Sequence, residues 1–598
     1  MSLLSHAGTP VLGHAATGSA LASWTPLTAM LGAFALVVAA LFVANRRVPV
    51  ASRAAATIER VTGVPGWAGA TVGMALFGLL LAGEGFYSDV AWHVALGRDE
   101  VLFTAPHTSI FIGLQLILLS GACAIWFATA TGVQTRWRAG RLRVPCSALP
   151  LLALGGAAVA GFPLDEVWHH AYGIDVTMWS PTHMLMILGA SFTGVAAWLV
   201  LGEAGVDPRS GAWARGLHVL AAALVVQGLS APLGEFAFGV PQFQQLFHPV
   251  LLCVAAGFAF VVSRLVLGRG WALGAALASW VLNLGVGGAD VVETRQAGIF
   301  LASALVVEAV AFVAGTGRRL RFAVLSAIGV GTVGLAGEWL WNQSAYQPWH
   351  ASLLPEAVVL GVIGALAAAV AAVPFASAAA GRDESRHDQH VPRWVYAGAL
   401  GAIVVVVLVP MPRRVGDVHA AVRLLPSPSS SLPSSGALHT VEVTLTPAGA
   451  AEDARWFQAS SWQGGGLVVR DMVEVGRGRY RSAGPVPVDG RWKSLLRLHR
   501  GDELMTLPLY LPADPAIGEP EIPAIDRSGQ MQAETRYLLR ETHEGGALLK
   551  WVVHGLLVLA AVAWLGAFAA AVRGVLLARP SSRLGPRPRR DYVAGRST

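Results

Sequence analysis

The sequence predicts an all-α polytopic membrane protein with repeated helical hairpins and a small extracytoplasmic β-sandwich domain before the last span. Hydrophobic residues make up 54% of the 598 residues and charged residues only 13%, and many apolar runs reach the length that crosses a bilayer. Arginines concentrate in short loops between these runs, which is typical of cytoplasmic loops. One segment, residues 439–546, alternates apolar and polar residues instead, as β-strands do.

The membrane domain is predicted at residues 26–411, with twelve of about thirteen spans. Basic residues follow the first span, at 26–45, so the segment 1–25 is expected outside the cell. About five hairpins then face the outside and follow one plan, which indicates a degenerate internal repeat. Because the basic residues lie between apolar runs, the partner they indicate is the lipid bilayer and not a nucleic acid.

The chain changes character after the twelfth span. A Ser/Pro-rich linker is predicted at 412–438, followed by the β-domain at 439–546. A final span at 547–575 returns the chain to the cytoplasm, where the basic tail, 576–598, is expected. Arg is used almost to the exclusion of Lys, which suggests a GC-rich bacterial genome. With the apolar spans, the expected location is the bacterial plasma membrane.

One stretch occurs twice, at the outer ends of the predicted second and fourth spans. Both copies read Asp, three residues, His, thirteen residues, His, and Trp and Gly recur at equal offsets. An Asp and a His four residues apart lie one turn apart on the same helix face. Two imidazoles with a carboxylate suit a divalent transition metal. The predicted metal ligands are Asp89, His93 and His107 in the first set, and Asp165, His169 and His183 in the second.

The ligand types leave the metal open, because His and carboxylate ligands suit zinc, iron, manganese and copper(II). Met178, Met184 and Met186 flank His183 and are interpreted either as thioether ligands or as ordinary core residues. The β-domain contains no Cys, which excludes a blue-copper centre in it.

Two histidines separated by thirteen residues also suit a membrane helix that holds two haems. The intervening segments here contain Gly97 and Pro106 in one copy, and Gly173 and Pro181 in the other. Such segments interrupt a lipid-spanning helix. Both histidines of a pair are therefore expected near the same membrane face, which argues against haem.

Weaker acidic and histidine signals lie at the ends of the later hairpins. Each such residue is interpreted either as an interfacial polar residue with a local partner or as part of a second metal site or proton path. These residues are Glu235, His248, Asp290, Glu293, Glu338 and His350. The glutamines between them, Gln242, Gln244 and Gln245, are expected to be loop residues.

The Asp–His–His spacing resembles the C-subunit metal site of copper membrane monooxygenases, a family that oxidises methane, ammonia and short hydrocarbons. The resemblance covers residues 89–107 and 165–183. In this chain the gap between the histidines is one residue longer than in the family, the site is duplicated, and the predicted spans outnumber those usual for the subunit. The resemblance implies copper at both sets and the oxidation of a small substrate.

A second resemblance lies in the β-domain. The segment Gly476-Arg-Gly478-Arg-Tyr480, with the segment from Val486 to Trp492, resembles the Gly-x-Tyr … Gly-x-Trp strands of FixH/YtkA-type extracytoplasmic domains. Those domains are associated with copper handling and oxidase assembly. The resemblance therefore implies a role for this domain in docking, structural support or metal delivery.

Several functions stay open from the sequence. The first hypothesis is an outer-face metalloprotein that oxidises a small substrate or handles copper for another enzyme. A transporter also builds polar clusters from hairpin repeats. A polytopic lipid-linked-sugar glycosyltransferase places acidic residues in outer loops and often carries an outer C-terminal domain. A scaffold subunit is the fourth interpretation, and it adds other membrane subunits as partners.

Overall fold

The computed structural model describes nearly all of the chain between residues 49 and 578. The described ranges are 49–98, 103–173, 177–285, 295–380, 393–427 and 437–578, with three isolated positions before them. Most of the predicted first span, nearly all of the basic tail, Asp290 and Glu293 lie outside the described residues.

Within these ranges, nine helices are long and apolar enough to cross a membrane. They are Gly66–Leu96, Ala105–Thr131, Ala148–Tyr172, Pro181–Glu203, Ala212–Ala237, Phe247–Val266, Arg319–Ser344, Ala351–Ala379 and Ala547–Leu577. The helices Gly66–Leu96 and Ala148–Tyr172 carry the Asp-x3-His motifs and are called the first and second Asp–His helices.

Three shorter apolar helices lie where the sequence predicts the eighth, ninth and twelfth spans. They are Trp271–Leu284, Leu301–Ala314 and Ala397–Leu408. The middle one has 14 residues and is therefore about 21 Å long, against roughly 30 Å of bilayer hydrocarbon. The total of thirteen spans stays a prediction.

Four of the nine helices combine segments with different hydrogen-bonding patterns. Ala351–Ala379 begins with a 3₁₀ turn, Ala351–Leu353, and continues as the α-helix Leu354–Ala379. Pro181–Glu203 consists of Pro181–Ser191 and Thr193–Glu203. Ala212–Ala237 consists of Ala212–Ser230, a 3₁₀ turn and Gly234–Ala237. Arg319–Ser344 begins with Arg319–Gly329 and a π-helical turn over Val330–Gly334. It then continues as Leu335–Trp341 and ends in a 3₁₀ turn. The remaining short helices are Val50–Thr62 and Thr535–Leu538.

Glycines bring the first Asp–His helix very close to the next helix, Ala105–Thr131. A Cβ atom on Gly113 would lie 2.6 Å from the carbonyl oxygen of Gly78, so only glycine permits this approach. Small residues allow such backbone contact between membrane helices. The close packing fixes the relative position of the two helix ends that carry the first histidine set.

A separate β-domain lies between the helices Arg393–Leu408 and Ala547–Ala578. Its strands are β3 His419–Pro426, β4 Leu438–Thr446, β5 Trp456–Trp462, β6 Leu467–Gly476, β7 Arg479–Ser482, β8 Val486–Pro487, β9 Lys493–Arg500, β10 Glu503–Tyr510, β11 Arg527–Gln530 and β12 Gln532–Ala533. A two-stranded hairpin, β1 Trp137–Ala139 and β2 Leu142–Val144, lies apart from it.

The strands of the β-domain form one antiparallel path, in the order β11-β3-β4-β7-β6-β5-β9-β10-β12. The predicted sandwich therefore has halves that are hydrogen-bonded to each other. Strand β6 joins them, because its first part pairs with β5 and its last part, after Asp471, pairs with β7. Strands that pass from one half to the other in this way close a sheet into a barrel-like shape.

The β-domain covers the end of the first Asp–His helix. The last carbonyl groups of a helix have no partner within it, and two of them accept hydrogen bonds from the β-domain. The backbone N–H of Gln463 donates to Val94 (2.9 Å), and that of Gly465 donates to Ala95 (2.9 Å). The loop after β5 therefore satisfies the end of this helix.

The end of the second Asp–His helix meets the segment that leaves the β-domain. The backbone N–H of His543 donates to the carbonyl of Tyr172 (2.8 Å), and the Tyr172 hydroxyl donates to the carbonyl of Gly546 (2.6 Å). A Cβ atom on Gly173 would lie 2.2 Å from the carbonyl oxygen of Glu541. Both Asp–His helices thus end against the same domain.

A buried histidine on β9 adds to this interface. His499 is 1% exposed, and its Nε2 atom accepts a hydrogen bond from the backbone N–H of Gln245 (3.1 Å). Burial lowers the pKa of His499 to about 3, so the ring is neutral at physiological pH and its nitrogen is available as an acceptor.

Candidate metal centre

The first set comes together where two helices meet. Asp89 and His93 lie near the end of the first Asp–His helix, and His107 lies in the first turn of Ala105–Thr131. Asp89 Oδ2 is 3.6 Å from His93 Nε2, and Asp89 Oδ1 is 3.1 Å from His107 Nε2. The three ligand atoms lie within 4.8 Å of one another. Ligands of one transition-metal ion lie roughly 3–4 Å apart, so a small shift closes this set around an ion.

The second set repeats this arrangement. Asp165 and His169 lie near the end of the second Asp–His helix, and His183 lies in the first turn of Pro181–Ser191. Asp165 Oδ1 is 3.8 Å from His169 Nε2, and Asp165 Oδ2 is 3.2 Å from His183 Nε2. These ligand atoms also lie within 4.8 Å of one another.

Each pair of histidines thus converges on one carboxylate. The ring centroids lie 6.3 Å apart in the first set and 5.8 Å apart in the second. This spacing suits one small ion in each set and does not suit two haem planes at different depths.

The same local features build both sets. A glycine lies four residues before each Asp, and it faces the backbone of the helix that carries the second His. A Cβ atom on Gly85 would lie 2.8 Å from the carbonyl oxygen of Pro106, and one on Gly161 would lie 3.2 Å from that of Thr182. These glycines let the paired helix ends approach closely enough for the carboxylate to reach both imidazoles.

Each second histidine occupies the third position of a capped helix. The side chain of Thr104 accepts a hydrogen bond from the backbone N–H of His107 (3.3 Å), and Ser180 accepts one from His183 (3.2 Å). Both helices have proline in their first two positions. Caps of this kind fix where a helix starts, and here they fix the position of the second histidine of each set.

One histidine of each set has its ring oriented by a backbone carbonyl. His93 Nδ1 donates to the carbonyl of Gly97 (2.9 Å), and His183 Nδ1 donates to that of Thr177 (2.5 Å). With Nδ1 bonded in this way, Nε2 is the atom that faces the Asp. Metal-bound histidines are commonly held by such a second hydrogen bond.

Hydrogen bonds within the membrane domain hold the carbonyl that orients His183. The Thr177 hydroxyl donates to the side-chain oxygen of Gln242 (2.7 Å). The backbone N–H of Gln242 in turn donates to the buried carboxylate of Glu235, which also accepts from the indole N–H of Trp179. Glu235 therefore connects to His183 through Gln242 and Thr177.

A hydroxyl group distinguishes the second set from the first. The Thr182 hydroxyl donates to Asp165 Oδ1 at 2.5 Å. The residue at the corresponding place in the first set is Pro106, which has no such donor. Asp165 is also the more deeply buried of the two carboxylates.

One cavity of about 220 Å³ lies beside both sets. It is lined by Asp89, His93 and His107 of the first set and by Asp165 and His183 of the second. Apolar side chains form most of the remaining wall, among them Leu79, Leu114, Phe162, Ile187 and Leu224. The β-domain contributes Trp462 and Gln463 to the wall, and Met178 and Met186 also line it.

The weaker predicted residues have backbone partners. His248 Nε2 donates to the carbonyl of Ala297 (2.5 Å). Glu338 accepts from the backbone N–H groups of Ile299 (3.0 Å) and Phe300 (2.5 Å). Both side chains thus hold the same segment, residues 297–300.

Within the described parts of the chain, the two Asp–His–His sets are the groups of three residues that could hold a metal ion. The weaker predicted residues do not form another such group there. His350 is exposed and contacts Ser352. Because Asp290 and Glu293 lie outside the described residues, the second metal site or proton path stays a prediction.

Sequence reasoning missed the residues that hold the ligands in place. Gln242, expected as a loop residue, lies in a loop and also lines the cavity. Thr104 and Ser180 carry a readable signal, since a Ser or Thr one or two residues before a proline at a helix start is a typical cap. Gln463 carries no such signal, because it reaches the site through the docking of another domain.

No protein-family model, curated protein or solved structure matches this chain. Its function is therefore inferred from its own side chains and their geometry.

Proposed function

We propose that this protein is an integral membrane metalloprotein with two metal ions held by the two Asp–His–His sets. Copper is the favoured metal, and zinc or iron are the alternatives. The observation that supports this proposal most is that two sets with equal spacing form equal three-ligand arrangements beside one cavity. Three protein ligands leave coordination positions open, as in catalytic rather than structural metal sites.

The cavity favours chemistry on a small substrate. Its volume of about 220 Å³ and its mostly apolar wall suit a small molecule with little charge. A bound copper ion supplies redox chemistry at the edge of such a cavity. The residues of the chain hold the ligand atoms, keep bulk water out and present apolar surface to the substrate. Oxidation of a small substrate is thus the favoured activity, and copper handling for another enzyme is the alternative.

The resemblance to copper membrane monooxygenases supports the same proposal. It applies residue by residue to Asp89, His93 and His107, and again to the second set. In this proposal the sets lie at the outer face of a bacterial plasma membrane, with the β-domain outside and the C-terminal tail in the cytoplasm. The arginine-rich loops support that orientation.

Elemental analysis of the purified full-length protein tests the proposal. We expect about two copper ions per chain in the wild type and about one in either His93→Ala/His107→Ala or His169→Ala/His183→Ala. His350→Ala is the matched control, because His350 is exposed and lies outside both sets. Zinc or iron lost in the same pattern would keep the sites and change the metal. Metal content that is unaffected by either double substitution would refute the proposal and favour a transporter.

Oxygen consumption separates the two activities. Copper-loaded protein that oxidises small apolar compounds, and loses this activity with either set, is an oxidase. Copper that passes to an acceptor protein without oxygen consumption indicates copper handling.

A further inference from the structure

Gln463 has a backbone conformation that disfavours its side chain. It lies directly after β5, and its φ angle is +64°, in the left-handed region that glycine adopts freely. The next residues, Gly464, Gly465 and Gly466, are all glycines. A non-glycine residue in this region is uncommon, and such strain clusters at functional sites. The loop therefore contains a glutamine at the position where its backbone favours glycine.

The side chain of Gln463 contacts the loop that orients a metal ligand. Its Nε2 atom donates to the carbonyl of His93 (3.3 Å), and its backbone N–H donates to Val94 (2.9 Å). Its Oε1 atom lies 3.4 Å from the place where a Cβ atom on Gly97 would lie. Gly97 is the residue whose carbonyl accepts from His93 Nδ1. Gln463 thus bonds to the first residue of the turn that sets the His93 ring and lies close to the last one, Gly97.

We propose that Gln463 is a positioning residue of the first metal set, so that this set is completed only when the β-domain docks. The inference rests on the proposed function, since it concerns the metal that His93 would hold. Residues that orient a metal-bound histidine commonly change metal affinity when they are replaced. Gln463 acts by fixing the carbonyl and the turn behind the imidazole.

The second set provides an internal comparison. The carbonyl that orients its ligand His183 belongs to Thr177, and a glutamine again holds that residue, here Gln242 of the membrane domain. The β-domain glutamine contacts the first set and the membrane-domain glutamine supports the second. Each glutamine therefore serves as the matched control for the other.

The test uses full-length protein in which only one set can bind metal. With His169→Ala/His183→Ala as background, we expect Gln463→Gly and Gln463→Asn to weaken copper binding about 10- to 100-fold. We also expect them to change the copper hyperfine splitting in electron paramagnetic resonance. Gln242→Asn in the same background leaves both measurements unchanged. With Asp89→Ala/His93→Ala as background, the roles of the two glutamines are reversed.

Gln463→Gly also separates positioning from folding. Because glycine suits the left-handed backbone, this variant is expected to unfold at no lower temperature than the wild type while its copper affinity falls. Unchanged affinity and spectrum in both Gln463 variants would overturn the inference and leave the proposed function standing. Equal losses from Gln463→Gly in both backgrounds would also overturn it. A background protein that binds no metal with Gln463 present overturns the inference and the proposed function together.

Discussion

Arg98 and Asp514 form a bidentate ion pair, which joins the turn after the first Asp–His helix to the β-domain. Arg98 Nη1 donates to Asp514 Oδ2 (2.8 Å), and Nη2 donates to Oδ1 (2.9 Å). Paired bonds of this kind constrain direction as well as distance. The pair and the Gln463 loop therefore hold the same turn at two points.

This ion pair should make β-domain docking sensitive to acid. Burial acts to raise the pKa of Asp514, but the hydrogen bonds and the charge of Arg98 outweigh it, so the pKa lies below its ordinary value. A carboxylate with a lowered pKa stabilises the folded state above its unfolded pKa of about 3.9 and loses that contribution as pH falls through its native pKa. We expect wild type to exceed Asp514→Asn in thermal stability at pH 5 to 8, by about 1 kcal/mol.

The measurement is the unfolding temperature of both proteins between about pH 3 and pH 8. The difference should be constant down to about pH 5 and then shrink as the pH falls further. A difference that grows on acidification would contradict the assignment.

Gly173 and Gly97 should respond differently to the same substitution. Both combine a positive φ angle with an extended ψ angle (φ +85° and ψ 165° at Gly173, φ +98° and ψ −155° at Gly97), a region that essentially only glycine adopts, so alanine costs about 1–3 kcal/mol at either position. At Gly173 the new Cβ atom would also lie 2.2 Å from the carbonyl oxygen of Glu541, whereas at Gly97 the nearest atom, on Gln463, is 3.4 Å away. We expect Gly173→Ala to lower the free energy of unfolding by about 2–6 kcal/mol and Gly97→Ala by about 1–3 kcal/mol. Denaturant unfolding of both variants measures this, and equal losses would show that the contact with Glu541 has no effect.

The Thr182 hydroxyl should tune the second set. Thr182→Val keeps the shape of the side chain and removes the donor to Asp165 Oδ1. We expect metal affinity at this set to fall about tenfold, because a ligating carboxylate loses the bond that orients it. Thr193→Val is the control, since the buried Thr193 hydroxyl donates to the carbonyl of Gly189 four residues earlier and lies outside both sets. Equal metal affinity in the two variants, measured by titration, would refute the role of Thr182.

Substitution of Glu235 and of Glu338 should show whether a buried carboxylate supports metal binding at the second set or only stabilises the fold. Both carboxylates are buried, and both oxygens of each accept hydrogen bonds. Glu235 accepts two backbone N–H groups at Oε1 and the Trp179 indole N–H at Oε2, and each oxygen of Glu338 accepts one backbone N–H. Glu→Gln therefore leaves a donor facing a donor at either position and costs about 1–3 kcal/mol. Only Glu235 connects to the second set, through Gln242 and Thr177. We therefore expect Glu235→Gln to reduce metal bound at the second set and Glu338→Gln to leave it unchanged.

Elemental analysis of both variants in the Asp89→Ala/His93→Ala background measures this directly. Similar metal loss in the two proteins would mean that stability alone, and not the connection to His183, controls loading.

The grouping of ligands was predictable from the sequence because it follows from short-range geometry. Asp89 and His93 share a helix face by their spacing, and Gly97 and Pro106 predict the turn that returns His107 to the same end. The long apolar helices and the presence of a β-domain were predictable from composition and alternation, but strand β3, His419–Pro426, lies in the segment predicted as a linker. The count of thirteen spans stays a prediction, because the 14-residue helix Leu301–Ala314 has the composition of a span without its length.

The supporting residues were not predictable, because their roles depend on tertiary contacts. Glu338 has the sequence context of a functional carboxylate, yet its oxygens accept hydrogen bonds from the backbone N–H groups of Ile299 and Phe300, in a distant segment of the chain. Gln463 lies 370 positions after His93, and nothing local to either residue indicates that they meet.

The attachment of the β-domain has a kinetic consequence. It is covalently joined to helices on both sides, Arg393–Leu408 before it and Ala547–Ala578 after it. A tethered domain experiences its docking surface at a high effective concentration, so individually weak hydrogen bonds suffice to keep it seated. Separation would then be brief and followed by rapid return to the same partner surface. The part of the cavity wall that Trp462 and Gln463 form therefore stays attached to the protein. After any separation it returns to the same place without diffusing through solution.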